Sequence, residues 1–122
     1  MSVILLVDDD EVVRTVLREI LIRAGYQLLE ASNGQEALKL LQNHAIDLTI
    51  TDIFMPEMDG IDLLAAISRS RPGSKIIAMS GGYKAMDPKL TLRMAQSFGA
   101  VEILSKPLHA EQLLAAVSKV LG

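Results

Sequence analysis

The chain has 122 residues, half of them apolar and 22% charged, with no cysteine and a net charge of -3 from 12 basic and 15 acidic side chains. That is one domain's worth of chain at an ordinary globular composition, so a single core over residues 1–122 is expected, with no room for an attached output domain. The charge balance argues against nucleic acid or an anionic membrane as a direct partner, and without cysteine there is no disulfide framework or thiolate metal site.

The first apolar run, Val3 to Val7, is too short for a signal segment or a membrane span, and a cytoplasmic location is expected. Its lack of polar alternation reads as a strand covered on both faces. After Asp8-Asp9-Asp10, residues Val12, Val13, Val16, Leu17, Ile20 and Leu21 recur at helical spacing as one buried stripe, and Gly25 ends the helix. Asp10 reads as its cap. A second strand, Gln27 to Ala31, leads to Asn33, a cap for the next helix, with Glu36 three residues on to return the bond. Ala37, Leu38, Leu40 and Leu41 supply that helix's buried side.

A third strand near Asp47 to Thr51 ends at Asp52, and Pro56 and Gly60 mark the following segment as a loop. Asp59, before Gly60, reads as turn chemistry. A helix from Ile61 to Arg69, a strand from Lys75 to Ser80, a helix from Asp87-Pro88 to Phe98, a strand from Val101 to Leu104 and a helix from Glu111 to Leu121 complete the pattern. Five strand–helix units predict an α/β fold, with a parallel sheet and helices on both faces. His44 and His109 stand alone and are expected at the surface, with no second ligand at metal spacing.

In such sheets, ligand chemistry gathers at the carboxyl ends of the strands. Asp8 and Asp9 follow the first strand, Asp52 ends the third, Ser80 ends the fourth and Lys106 follows the fifth, so all five fall at that edge. Three carboxylates brought together repel one another unless a cation joins them. Hard oxygen donors favour Mg²⁺, which takes one or two carboxylates, waters and a phosphate oxygen. With Lys106 and the Ser80 hydroxyl, such an ion would stabilise a phosphoryl group moving to Asp52, the nucleophile. The sequence holds no GxxxxGK[ST] phosphate loop, so the phosphoryl donor must be another molecule.

Val7-Asp8-Asp9, the stretch Asp52-Ile53-Phe54-Met55-Pro56-Glu57-Met58-Asp59-Gly60, and Ser80 with Lys106-Pro107 resemble the receiver domain of two-component response regulators, over essentially the whole chain. The resemblance implies a flavodoxin-like (βα)5 three-layer sandwich with strand order 2-1-3-4-5. It implies phosphotransfer to Asp52 from a phosphohistidine of a histidine kinase or histidine phosphotransfer protein, rather than turnover as an enzyme. It also implies Mg²⁺ held by Asp9, Asp52 and the backbone carbonyl of Phe54, with Asp8 acting through water. Ser80 and Lys106 would then engage the phosphoryl oxygens and repack the surface of the last two helices and the last strand, toward a downstream protein.

The chain departs from this pattern in places. Ile103 stands where many receivers carry Tyr or Phe three residues before the lysine, and 25 residues lie between Ser80 and Lys106, more than the family leads one to expect. Tyr83, in that longer segment, is a candidate replacement for the aromatic. The positions that tune phosphoryl lifetime in the family are Phe54 and Gly82, and a bulky Phe54 is expected to restrict water's approach. Competing readings are a Mg²⁺-dependent phosphohydrolase with an Asp nucleophile, which should carry a second acid at position 54, a receiver acting only as an interaction module, and a receiver cut from a longer regulator or hybrid kinase.

Overall fold

The unbroken apolar run Val3–Val7 becomes a strand buried on both faces in the computed structural model, which describes residues 2–52, 60–71, 73–80, 102–105 and 108–122. In chain order these form β1 (Val3–Val7), α1 (Glu11–Arg23), β2 (Gln27–Ala31), α2 (Gly34–Asn43), β3 (Leu48–Asp52), α3 (Gly60–Ser70), β4 (Ile76–Ser80), β5 (Glu102–Ser105) and α4 (Ala110–Leu121). The five strands make one sheet in the order β2-β1-β3-β4-β5, every neighbouring pair parallel. This is the flavodoxin-like arrangement the sequence led one to expect. The helix expected from Asp87 to Phe98 lies outside the described residues.

Alternation along each strand divides the interior into two cores. Leu5, Val7, Ile76 and Ala78 face Ala37 and Leu41 of α2 and Leu63, Leu64 and Ile67 of α3. Ile4, Leu6, Leu48, Ile50, Ile77 and Met79 face Leu17 and Leu21 of α1 and Leu113 and Val117 of α4. Helices therefore cover both faces, which makes three layers.

Local chemistry sets the helix ends. Asp10 caps α1, its Oδ1 accepting from the N–H groups of Val12 (2.9 Å) and Val13 (3.2 Å). At the far end Gly25 takes φ 97°, and the Gly25 and Tyr26 N–H groups donate back to the carbonyls of Ile22 and Leu21. That paired closure is the Schellman motif, and a side chain at this left-handed position is disfavoured. Asn33 caps α2 through the Glu36 N–H at 2.8 Å. The returning bond differs from a plain capping box. Glu36 reaches past Asn33's backbone to Ser32, accepting from its hydroxyl at 2.7 Å and its N–H at 3.4 Å.

Two expectations change. The six-residue stripe proposed for α1 is too wide: Leu17 and Leu21 are buried and Val13 and Ile20 pack against them, but Val12 is 72% and Val16 52% exposed. At 100° per residue, 12 and 16 sit a quarter turn from 13 and 17 and leave the sheet-facing side. Element limits also shift by about one residue. Asp47 stays outside β3 because it ties the start of β1, its N–H donating to the Val3 carbonyl and its Oδ2 accepting from the Val3 N–H. Lys75 precedes β4, and its Nζ bonds the Val120 carbonyl of α4 at 2.9 Å. His44 and His109 are exposed, as expected.

Thr49 is fully buried on β3, in register with Leu5 and Ile76 on the α2/α3 side, and its hydroxyl has no hydrogen-bond partner. A lone buried hydroxyl costs on the order of 1–3 kcal/mol relative to an apolar group of the same shape. Thr49→Val is therefore expected to raise the urea unfolding free energy by about 1 kcal/mol, and an unchanged or lower midpoint contradicts this. The hydrogen bonds from the Ser32 side chain and then the Ser32 backbone hold the Glu36 carboxyl below the ordinary glutamate range. A lowered folded-state pKa adds stability that is present above the unfolded value and is lost as pH falls through the folded value. Thermal melts across that acid range should show the advantage of the parent over Glu36→Gln shrinking toward zero, whereas a constant difference excludes the carboxylate as its source.

Candidate functional site

β1 and β3 are hydrogen-bonded neighbours with Val7 opposite Thr51, so the residues that follow emerge side by side at the carboxyl edge. Asp8 leaves β1 and Asp52 closes β3. Carboxylate oxygens of Asp8, Asp9 and Asp52 all lie within 4.8 Å of one another. Asp8 is fully buried, Asp52 is 7% exposed and Asp9 is open to solvent.

Asp8 is held at its backbone and its side chain. Its N–H donates to the Ala31 carbonyl at 3.2 Å, and its Oδ1 accepts from the Asp10 N–H at 2.9 Å. Its carbonyl accepts from Arg14 Nη1 at 2.8 Å. The bond to Asp10 starts a tight turn, and Asp10 at once caps α1, so one acidic tripeptide ends a strand, starts a helix and presents two carboxylates.

Two negative charges at this separation repel by on the order of 3 kcal/mol at an effective dielectric near 20, for the buried pair Asp8 and Asp52. A divalent cation reverses the sign of that term. Opposite oxygens of a Mg²⁺ octahedron stand about 4.2 Å apart, twice a bond of about 2.1 Å. Oxygens already within 4.8 Å need only a small adjustment to share one ion. The donors are hard, with no sulfur or imidazole in the cluster, and so the set fits Mg²⁺ rather than a softer metal.

The fourth strand brings Ser80 to the same edge. Met79 pairs with Asp52, and Ser80 is the next residue, opposite Ser105 of β5. Lys106 follows Ser105 directly in sequence. The expectations for the Ser80 side chain, Lys106, the Phe54 carbonyl, Gly82 and Tyr83 lie outside the described residues. Ile103 is described: half-buried on β5, it packs against the α2/α3-side core.

A charged group beside the acids escaped sequence reasoning. Arg14 Nε pairs with Glu30 Oε1 at 3.3 Å, and Arg18 Nη1 pairs with Glu30 Oε2 at 3.0 Å. The available signal was slight: two arginines four residues apart share a face of α1, and Glu30 interrupts an otherwise apolar stretch of β2.

An open parallel α/β sheet carrying an acid cluster at its carboxyl edge defines a class of domain with its ligand site at the strand ends. The sequence matches the response regulator receiver domain over residues 4–118. It is 36% identical over 120 residues to the chemotaxis protein CheY of Bacillus subtilis, covering 98% of this chain and 97% of that one. It is 35% identical to the DNA-binding transcriptional regulator NtrC of Azospirillum brasilense, covering 99% of this chain but only 24% of that protein. Among solved structures, the response regulator TrrA of Thermotoga maritima, in complex with Mg²⁺ and BeF, superposes with a TM-score of 0.87 at 31% identity, covering 99% of this chain and 100% of that one. The chain belongs to the response regulator receiver domain family. Among the described residues, no helix is long and apolar enough to cross a membrane.

Proposed function

We propose that residues 1–122 act as one phosphoacceptor receiver, in which Asp52 takes a phosphoryl group from a phosphohistidine of a histidine kinase or histidine phosphotransfer protein. The observation that carries this reading is the meeting of Asp8, Asp9 and Asp52 at one strand edge. A carboxylate oxygen of Asp52 forms the new bond to phosphorus as the phosphorus–nitrogen bond to the donor imidazole breaks, and the electron pair stays with the imidazole. Asp52 suits this role because β3 is buried along its whole length and fixes the direction of attack.

Mg²⁺, held by Asp9 and Asp52 with the Phe54 carbonyl and with Asp8 through water, would neutralise charge on the phosphoryl oxygens. The TrrA structure, a complex with Mg²⁺-BeF, supports this choice of ion. The Ser80 hydroxyl then donates to one phosphoryl oxygen and the Lys106 ammonium pairs with another. A dianion held this way shifts the balance between two packings of the β4–β5 edge, and thereby a surface for a downstream protein.

The protein acts only on itself, accepting and losing one phosphoryl group, and is not a turnover enzyme. Its setting is the cytoplasm, without direct contact with nucleic acid or membrane. Exposed Val12 and Val16, one turn apart on α1, the helix that follows the acidic tripeptide, supply apolar surface for a protein donor rather than a small substrate. Ile103 presents no polar end to a switch hydroxyl, so output through an aromatic at that position is not part of this reading.

Incubation with acetyl phosphate and Mg²⁺, followed by intact mass, tests the proposal. One phosphate adduct on the parent, absent in Asp52→Asn and absent when EDTA replaces Mg²⁺, is the expected result. An adduct of equal yield on Asp52→Asn removes Asp52 as the acceptor, and steady release of many phosphates from small esters favours a phosphohydrolase instead.

A further inference from the structure

Arg14 is the fourth residue of α1, and its guanidinium joins two elements at the acid edge. Nη1 donates to the carbonyl of Asp8 at 2.8 Å, while Nε donates to Glu30 Oε1 at 3.3 Å from the end of β2. The side chain is 18% exposed. Arg18 holds the other oxygen of Glu30 at 3.0 Å, so the carboxylate that aims Arg14 is itself fixed from two sides.

The carbonyl that Arg14 grips belongs to the peptide joining Asp8 to Asp9. A peptide is planar, so fixing its oxygen fixes the N and Cα of Asp9, and with the Asp10 N–H also held the Cα–Cβ direction of Asp9 is restrained from both sides. With the Asp8 N–H on Ala31 and its Oδ1 on the Asp10 N–H, the guanidinium completes the restraint on the turn. Asp9 is exposed and acquires its aim from this turn. A guanidinium suits the task because its donors point in a rigid plane, one to Glu30 and one to the carbonyl.

We propose that Arg14, oriented by Glu30, is a positioning residue that sets the Asp8–Asp9 peptide so that both carboxylates converge on one divalent cation. This inference rests on reading the acid cluster as a Mg²⁺ site. Arg14 acts through Asp8 and Asp9 and not on the ion. The sign of its effect separates this role from simple electrostatics. A positive charge near a cation site repels the ion, so Coulomb's law alone has Arg14→Gln bind metal more tightly. Positioning has it bind more weakly.

The test is titration of the full chain with Mn²⁺ alone, and competition with Mg²⁺, for the parent, Arg14→Gln, Arg14→Lys and Glu30→Gln. Arg14→Gln is expected to weaken Mn²⁺ binding about tenfold, within the range typical for partners that orient metal ligands. Glu30→Gln and Arg14→Lys should fall between it and the parent. In an Asp9→Asn background the Arg14→Gln penalty should largely vanish, since the carboxylate being aimed is gone, whereas a general loss of fold costs the same in either background. Binding by Arg14→Gln that equals or exceeds the parent's overturns the proposal, as does an undiminished penalty in Asp9→Asn. Should Arg14→Gln fail to fold, Arg14→Lys and Glu30→Gln decide, and parent-like affinity in both overturns it. A parent that does not bind Mn²⁺ removes the cation reading itself and this inference with it. A parent that binds Mn²⁺ but takes no phosphate from acetyl phosphate removes only the phosphoacceptor reading.

Discussion

Repulsion among three carboxylates is the constraint around which this fold is arranged. Asp8, Asp9 and Asp52 come from two strands, and only the parallel pairing of β1 with β3 brings them within 4.8 Å. Like charges this close repel, a term that works against the closed turn. Two packed cores hold it shut. Ile4, Leu5, Leu6 and Val7 on β1 and Leu48 and Ile50 on β3 are fully buried, and a slip of either strand by one residue would exchange its inward faces. The apolar interior thus supports a charge arrangement whose oxygens are close enough to share a cation.

The three acids are not equivalent. Asp8 is buried and restrained through its N–H, its carbonyl and its carboxylate. Asp52 ends a strand that is buried throughout. Asp9 alone faces solvent, which suits a ligand that must exchange water for metal. Burial and backbone restraint thereby give three copies of one side chain three different settings: Asp8 locked and buried, Asp52 fixed at a strand end, and Asp9 open to solvent. Ile103 fits the same picture, since it contributes packing to the α2/α3-side core rather than a hydrogen-bonding switch.

Much of this was legible in the sequence because it is written locally. Continuous apolar runs read as two-sided strands, and Asp10, Gly25 and Asn33 mark helix ends through bonds to residues a few positions away. The convergence of Asp8, Asp9 and Asp52 followed from strand ends sharing an edge, a rule of topology rather than of any one contact. What escaped depends on the angular placement of a helix on the sheet. Val12 and Val16 satisfy the helical period yet face solvent, because the period fixes spacing and not the width of the buried arc. Arg14 and Glu30 lie 16 residues apart, and their meeting is set by how α1 lies across β2. The return bonds of Glu36 to the Ser32 hydroxyl and N–H and to the Asn33 side-chain amide, in place of the Asn33 backbone N–H, are of the same kind, a choice among adjacent donors that only coordinates reveal.

Paramagnetic broadening of amide signals by a trace of Mn²⁺ reports on whether Asp8, Asp9 and Asp52 surround a single divalent ion. Selective loss of the Asp8, Asp9, Asp10 and Asp52 resonances is expected, reversed by excess Mg²⁺, with Gln27 and Leu48 at the opposite edge unaffected. Uniform broadening, or broadening centred on exposed acids such as Glu19 or Glu111 while Asp9 and Asp52 stay sharp, would contradict it.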